Sequence, residues 1–285
     1  MLTKNINFKN FNKKFNNKKL KKYLKNILSE NNEILKSLTS NYKYQYDNYL
    51  IKKFKNEKAF SVIGMGGSII GVQAIHDFLK HKIKKKINFY DNLESNLKIK
   101  KKTTNIIISK SGNTLETISN ANILIKKNEK NIFITESKNS YLRSLALNLK
   151  AEIINHNNFI GGRYSVMSEV GMLPAELMGL NESKFKQLNN LIKNKNFINL
   201  LLSNVSSTLF FIKNKKFNSI ILNYDNSSDN LFRWYQQLIA ESLGKKGKGI
   251  LPIISSMPKD NHSVMQLYLD GPKNNFFTFF HVKNK

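Results

Sequence analysis

From residue 60 onward the chain alternates short apolar runs with longer stretches whose apolar residues recur every three or four positions. The runs at 60–63, 87–90, 105–108 and 131–135 are too short for helices, and the one at 105–108 lacks the polar alternation of a half-wet strand. They predict short strands, the uninterrupted ones buried on both faces. Between them, 68–81 and 114–127 carry helical spacing. Strands alternating with helices predict a parallel sheet covered on both faces and joined by right-handed crossovers, an α/β doubly wound fold. After 152–155 the pattern changes to a glycine loop followed by an apolar helix, GGRYSVMSEVGMLPAELMG. A second alternating block starts near residue 190. Strands are expected there at 219–223, 249–254 and 276–282, with a helix at 230–243 and a short apolar segment at 262–268. Before all of this, Leu20, Leu24, Ile27 and Leu28 stand at helical spacing in a Lys/Asn-rich lead-in. The domains expected are therefore a helical lead-in over 1–55, a first α/β domain over 56–185 and a second over 186–285.

Composition narrows the function. With 285 residues and 40% hydrophobic content the chain can bury sizeable cores. It has no apolar run of about 18 residues, so no transmembrane helix is expected. The basic start has no apolar core, so it does not read as a secretory signal. The absence of cysteine excludes disulfides and thiolate chemistry and fits a cytoplasmic setting. The formal charge of +28 first suggests a nucleic-acid partner. Yet of the 47 basic residues only Arg143, Arg163 and Arg233 are arginine, the side chain whose fork pairs with guanine. Lysine scattered among asparagine and isoleucine reads as an A/T-rich codon bias, and neither nucleic acid nor membrane is expected as a partner. Against that background an arginine stands out, which makes Arg163 and Arg233 candidates.

Five stretches carry chemistry. VIGMGGSIIG at 62–71 is a strand, a glycine turn and a helix; its Gly66, Gly67 and Ser68 could let a backbone approach an anion at a helix start. It matches neither the dinucleotide fingerprint nor a Walker loop, and Ser68 could simply cap the helix. The second, NIIISKSGNTLET at 105–117, sets Ser109, Lys110, Ser111 and Thr114 between a buried strand and a helix. Alone it reads equally as a polar capping turn. Both loops should leave the carboxyl ends of strands on one sheet edge, where open α/β folds bind ligands, which favours an anion site. The third, GGRYSVMS, contains Gly162 and Arg163. The fourth, WYQQLIAESLGKKGKG, places Gln237 and Glu241 four apart on one helix face, a spacing also common on solvated faces. The fifth contains His262, one of five histidines.

Together these stretches resemble the phosphoglucose isomerase family, in its shorter bacterial form. GMGGS (64–68), SKSGNTLET (109–117), GGRYSVMSEVGMLP (161–174), WYQQLIAESLGKKGKG (234–249) and NHSVMQLYLDGP (261–272) stand in family order. The resemblance covers about residues 55–282. It implies two sugar-isomerase (SIS) domains, each a doubly wound αβα sandwich, in a homodimer. It also implies interconversion of glucose 6-phosphate and fructose 6-phosphate, with neither metal nor organic cofactor. Residue by residue, Ser109, Lys110, Ser111 and Thr114 would hold the phosphate, with Ser68 and the Gly66–Gly67 backbone beside them. Glu241 would carry a proton between C2 and C1 through a cis-enediol. Arg163, next to Gly162, would stabilise the charge on that intermediate, and Gln237 would position sugar hydroxyls. His262 would help open the ring, reaching in from the partner subunit. Such chemistry needs one carboxylate acting as base then acid, tuned by burial, and a fixed cation for the enediolate.

Two departures bear on activity. Family members continue past the point where this sequence stops and carry a lysine there that assists ring opening; Lys283 and Lys285 match no such motif. Asn261 stands where glutamine is usual. The expectation is therefore a fragment of a longer protein, poorly active by itself. The competing reading is a non-catalytic SIS module that binds a sugar phosphate, which explains both anion loops but has no need of Arg163, Gln237, Glu241 and His262 together.

Overall fold

The computed structural model describes residues 9–12, 17–93, 102–126 and 128–283. Parts of the expected helical lead-in (1–8 and 13–16), the last residue of the helix expected at 114–127, and Lys285 lie outside them. Three helices come first: α1 (Asn17–Ser29), α2 (Glu33–Ser37) and α3 (Asn48–Phe54). The second and third start at side-chain caps, with Asn32 and Asp47 accepting the N–H groups of Leu35 and Leu50.

The strands then follow in alternation: β1 (Ala59–Gly64), α4 (Ile70–Phe78), β2 (Lys86–Tyr90), β3 (Thr104–Ile108), α5 (Leu115–Leu124), β4 (Asn131–Thr135), α6 (Tyr141–Asn148), β5 (Glu152–Asn155) and α7 (Glu169–Leu177). All five strands are parallel, in the order β2-β1-β3-β4-β5. β3 and β4 are buried at every position, as expected of central strands whose two faces both meet helices. One face packs Val62, Ile106, Ile108, Ile132 and Ile134 against α3 and α7; the other packs Ile63, Ile107 and Phe133 against α5 and α6. The isoleucines that looked like codon bias are here the β-branched residues of the sheet core.

The rest of the chain contributes α8 (Leu188–Lys193), α9 (Lys195–Lys213), β6 (Asn218–Asn223), α10 (Asp229–Leu243), β7 (Leu251–Ser256), α11 (Met265–Asp270) and β8 (Asn275–Phe280). Its three strands form a second parallel sheet in the order β7-β6-β8. By packing, residues 42–185 and 230–237 make one compact unit, around the five-stranded sheet. The other unit holds the described residues up to 41 together with 186–229 and 238–283, around the three-stranded sheet. Helix α10 thus contributes its first half to one unit and its second half to the other.

Candidate functional site

In the five-stranded unit, β1 and β3 are neighbours, and β2 lies on the far side of β1. The strand order therefore reverses direction between β1 and β3, the switch point at which doubly wound sheets bind ligands beyond the strand carboxyl ends. Gly64 and Ile108, the last residues of the two strands, are register partners. The glycine loop 65–69 and the polar loop 109–114 consequently start side by side.

The glycine loop does not run directly into its helix. Gly66–Ser68 forms a single 3₁₀ turn, and α4 begins after Ile69, with no side-chain cap. Ser68 is therefore not the N-cap that the bland reading required. The polar loop gives the same answer. Thr114 occupies the N-cap position of α5, yet its hydroxyl makes no cap bond; it lies 3.0 Å from Ser109 Oγ. Ser109 is buried and Ser111 exposed, and Ser111 Oγ accepts the Asn113 N–H at 3.2 Å. Among the described residues, the backbone N–H groups of Lys110, Ser111 and Thr114 meet no protein acceptor. The loop thus presents paired hydroxyls and backbone donors, the groups that solvate an anion.

The turn itself is pinned from below. Gly112 has φ +65°, and a Cβ there would lie 2.1 Å from Ser140 Oγ. Its carbonyl accepts the Leu142 N–H at 3.0 Å, and Asn113 Oδ1 accepts the Tyr141 N–H at 2.9 Å. The start of α6 therefore holds the loop in shape.

A third loop closes on the first. Residues Gly162–Met167 form a 3₁₀ segment whose start lies against Gly67, where an added Cβ would stand 2.4 Å from the Gly162 carbonyl carbon. Ser165 Oγ–H faces both backbones, 2.7 Å from Gly162 O and 3.3 Å from Gly67 O. The Arg163 guanidinium lies 4.5 Å from the Tyr164 ring centre, a cation–π contact. The Arg163 carbonyl accepts the indole N–H of Trp234, on α10, at 3.0 Å. Asn230 on the same helix donates to Asp77 Oδ2 at 2.6 Å. These two bonds seat the first half of α10, and Gln237 Nε2 stands 3.3 Å from the place a Gly66 Cβ would take. The structure thus brings Gly66, Gly67, Ser68, Ser109, Ser111, Thr114, Gly162, Arg163 and Gln237 into the same unit.

Lys110 behaves differently from the expectation of a phosphate-directed cation. Its ammonium donates to the carbonyls of Asn158 (2.8 Å) and Ile160 (3.2 Å) and lies 3.4 Å from Glu136 Oε1. Asn157, next to them, donates its N–H to Glu169 Oε1 at 2.8 Å, and Tyr42 donates to the other oxygen of that fully buried carboxylate at 3.0 Å. His156 is buried beside this loop, and burial holds its imidazole below the ordinary range, against the pull of its bond to the Asn157 carbonyl. Glu136, Trp234, Asp77 and Glu169 were not singled out from the sequence. The one local signal for Glu136 is its place directly after the 131–135 run, at the carboxyl edge of the sheet.

Glu241 and His262 belong to the other unit. Glu241 lies on α10 one turn beyond Gln237, as the spacing requires, but it is exposed, so burial of its carboxylate is not seen here. His262 ends the 3₁₀ turn Lys259–His262 and is exposed. That turn is tied to the end of β7 by Asp260, which accepts the Ser255 hydroxyl at 2.9 Å and the Ser256 N–H at 2.8 Å. In the loop after β6, Asp225 is buried and accepts the hydroxyls of Ser227 and Ser228. Among the described residues there is no cluster of side chains suited to a metal ion and no helix long and apolar enough to cross a membrane.

Parallel doubly wound sheets, one with donor-rich loops at its switch point, define an α/β protein of the sugar-isomerase (SIS) type. Solved structures agree on the fold. A hypothetical protein of Thermus thermophilus matches with TM-score 0.70 at 21% identity, over 92% of this chain and 69% of that one. A glucose-6-phosphate isomerase from Chlamydia trachomatis matches with TM-score 0.62 at 19% identity, over 81% of this chain and 51% of that one. The chain belongs to the phosphoglucose isomerase family, whose model matches residues 12–250. It is 36% identical over 259 residues to the glucose-6-phosphate isomerase of Methanocaldococcus jannaschii, covering 84% of this chain and 64% of the relative. With that of Campylobacter jejuni the identity is 31% over 248 residues, covering 80% and 61%. The chain spans about three fifths of the length of these curated relatives.

Proposed function

We propose that the protein to which this chain belongs interconverts glucose 6-phosphate and fructose 6-phosphate through a cis-enediol intermediate, as the names of its relatives suggest. The observation that carries this reading is the Ser109–Thr114 hydroxyl pair at the switch point, beside a Gly66–Gly67 turn closed by the Arg163 loop. The phosphate sits on the hydroxyls of Ser109, Ser111 and Thr114, with Ser68 and the backbone N–H groups of Gly66, Gly67 and Lys110. Anchoring that end fixes C1 and C2 relative to the protein, so the chemical step is effectively unimolecular.

Glu241 takes the proton from C2 of the aldose and returns it to C1, acting first as base and then as acid. Negative charge then develops on the enediolate oxygens, and Arg163 stabilises it. The guanidinium keeps its charge at every working pH, and its stacking on Tyr164 limits the reorganisation needed. Gln237 and the Gly162 backbone position the sugar hydroxyls, and His262, contributed by the partner subunit of a homodimer, assists ring opening. No step calls for a metal or an organic cofactor. The 285-residue chain and its Glu241→Gln variant, assayed for fructose 6-phosphate formation and for glucose 6-phosphate binding, test the proposal. Loss of turnover with binding retained supports it. A parent that binds the sugar phosphate without turnover supports instead a sugar-phosphate-binding role for this chain.

A further inference from the structure

The ammonium of Lys110 has three N–H donors, and the structure accounts for three acceptors around it: Asn158 O at 2.8 Å, Ile160 O at 3.2 Å and Glu136 Oε1 at 3.4 Å. All three belong to the protein. Glu136 is nearly buried, and its own N–H donates to the Lys110 carbonyl at 3.0 Å, so the two residues hold each other at both backbone and side chain. The two carbonyls lie in the loop that runs into Gly161, Gly162 and Arg163. We propose that Lys110 and Glu136 are a positioning pair: the Lys110 side chain clamps the 158–160 loop, and through it sets Arg163, rather than ligating the substrate phosphate.

The clamp joins the anion loop to the loop that bears the cation, across 48 residues of sequence. Glu169 fixes the same loop one residue earlier, through the Asn157 N–H. With both ends of 157–160 held, the Arg163 loop is seated before any ligand arrives, which is what electrostatic preorganisation requires. A lysine suits this task because an ammonium can satisfy several carbonyls at once. The electrostatic cost of placing it there is offset by the Glu136 carboxylate.

This inference rests on the proposed isomerase reading only for its catalytic consequence; the clamp itself is tested without turnover. The probes are amide hydrogen exchange over 157–164 and the affinity of the 285-residue chain for inorganic phosphate, in Lys110→Met, Lys110→Arg and Glu136→Gln. Lys110→Met should raise exchange over 157–164 by about tenfold or more, as expected for losing charge-assisted bonds. Phosphate affinity should change less than about threefold. Lys110→Arg, which can still donate to both carbonyls, should restore most of the protection, and Glu136→Gln should reproduce part of the loss. Where the parent turns over sugar phosphate, Lys110→Met should lower kcat by about tenfold or more and leave KM within about threefold. Unchanged exchange in both Lys110→Met and Glu136→Gln overturns the proposal. A phosphate affinity lowered more than about tenfold by Lys110→Met overturns it too, since that result makes the ammonium a phosphate ligand. If the parent binds no phosphate, the functional reading fails while exchange still decides the clamp.

Discussion

A methyl group added at Gly67 would lie 2.4 Å from the carbonyl carbon of Gly162 and 2.7 Å from the nitrogen of Arg163. Non-bonded carbon atoms settle at about 3.5–4.0 Å, so Gly67→Ala must push the two loops about 1 Å apart. Neither neighbour is a side-chain end that could swing aside; both are backbone. Overpacking of that kind costs about 2 kcal/mol, which for a domain of this size lowers Tm by about 4–8 °C. The displaced residue is Arg163 itself, and a misplacement near 1 Å in a positioned site costs about a hundredfold in rate. Gly161→Ala supplies the control two positions from the same guanidinium. Its added Cβ would meet only Tyr164 Cδ2, at an ordinary 3.6 Å, and its backbone is not left-handed. That variant should keep its Tm within a few degrees and could gain slightly from a less flexible unfolded chain, by about 0.4–1 kcal/mol. Thermal unfolding followed by circular dichroism, with a coupled isomerase assay or a sugar-phosphate titration, reads both. A Gly67→Ala protein with unchanged Tm and unchanged ligand response would refute the close approach of the two loops.

Two further outcomes follow from bonds described above. Thr114→Ala removes a hydroxyl that caps nothing but pairs with the buried Ser109 hydroxyl, so it should cost about 1 kcal/mol of stability and lower phosphate affinity about tenfold; Asp47→Ala, which removes a true cap, should also lose about 1 kcal/mol of stability but leave affinity alone. The urea midpoint and a phosphate titration of the two variants give that contrast, and a Thr114→Ala protein with unchanged phosphate affinity would count against the hydroxyl pair as an anion donor. His156 is held neutral by burial, so its folded pKa lies below the unfolded 6.5. The unfolded chain then binds the proton first, and stability must fall as pH drops below about 6.5 toward the lowered folded value. Urea midpoints between pH 7.5 and 5.5 should decline more steeply in the parent than in His156→Gln, and equal slopes would count against a buried neutral imidazole.

Much of the scaffold can be read along the chain because its central strands are buried on both faces. The runs at 105–108 and 131–135 are uninterrupted for that reason, and β3 and β4 fall within a residue of them. Helix ends are less legible. The helix expected at 68–81 takes in parts of the flanking 3₁₀ turns Gly66–Ser68 and Lys80–Lys82, and the α-helix proper is only Ile70–Phe78. Pattern also cannot tell which residues touch across long separations. Nothing local to Trp234 announces that its indole serves the Arg163 carbonyl, and nothing in SKSGNT says that its lysine turns to carbonyls 48 and 50 residues on. Motif words marked the loops that the structure brings together; the assignment of donors to acceptors needed three dimensions. Lys110 shows the difference: its place in the loop suggests a phosphate ligand, while the acceptors that surround its ammonium are visible only in the structure.

The chain has one tryptophan, and its indole N–H is bonded to the backbone of the Arg163 loop. Its ultraviolet emission therefore arises from a single partly buried ring at that loop, with no other indole to mask it. The molecule carries a built-in optical gauge. Any shift of the 161–163 backbone alters the polarity around that ring, so the variants that move this loop can be watched by the protein's own light, without an added label.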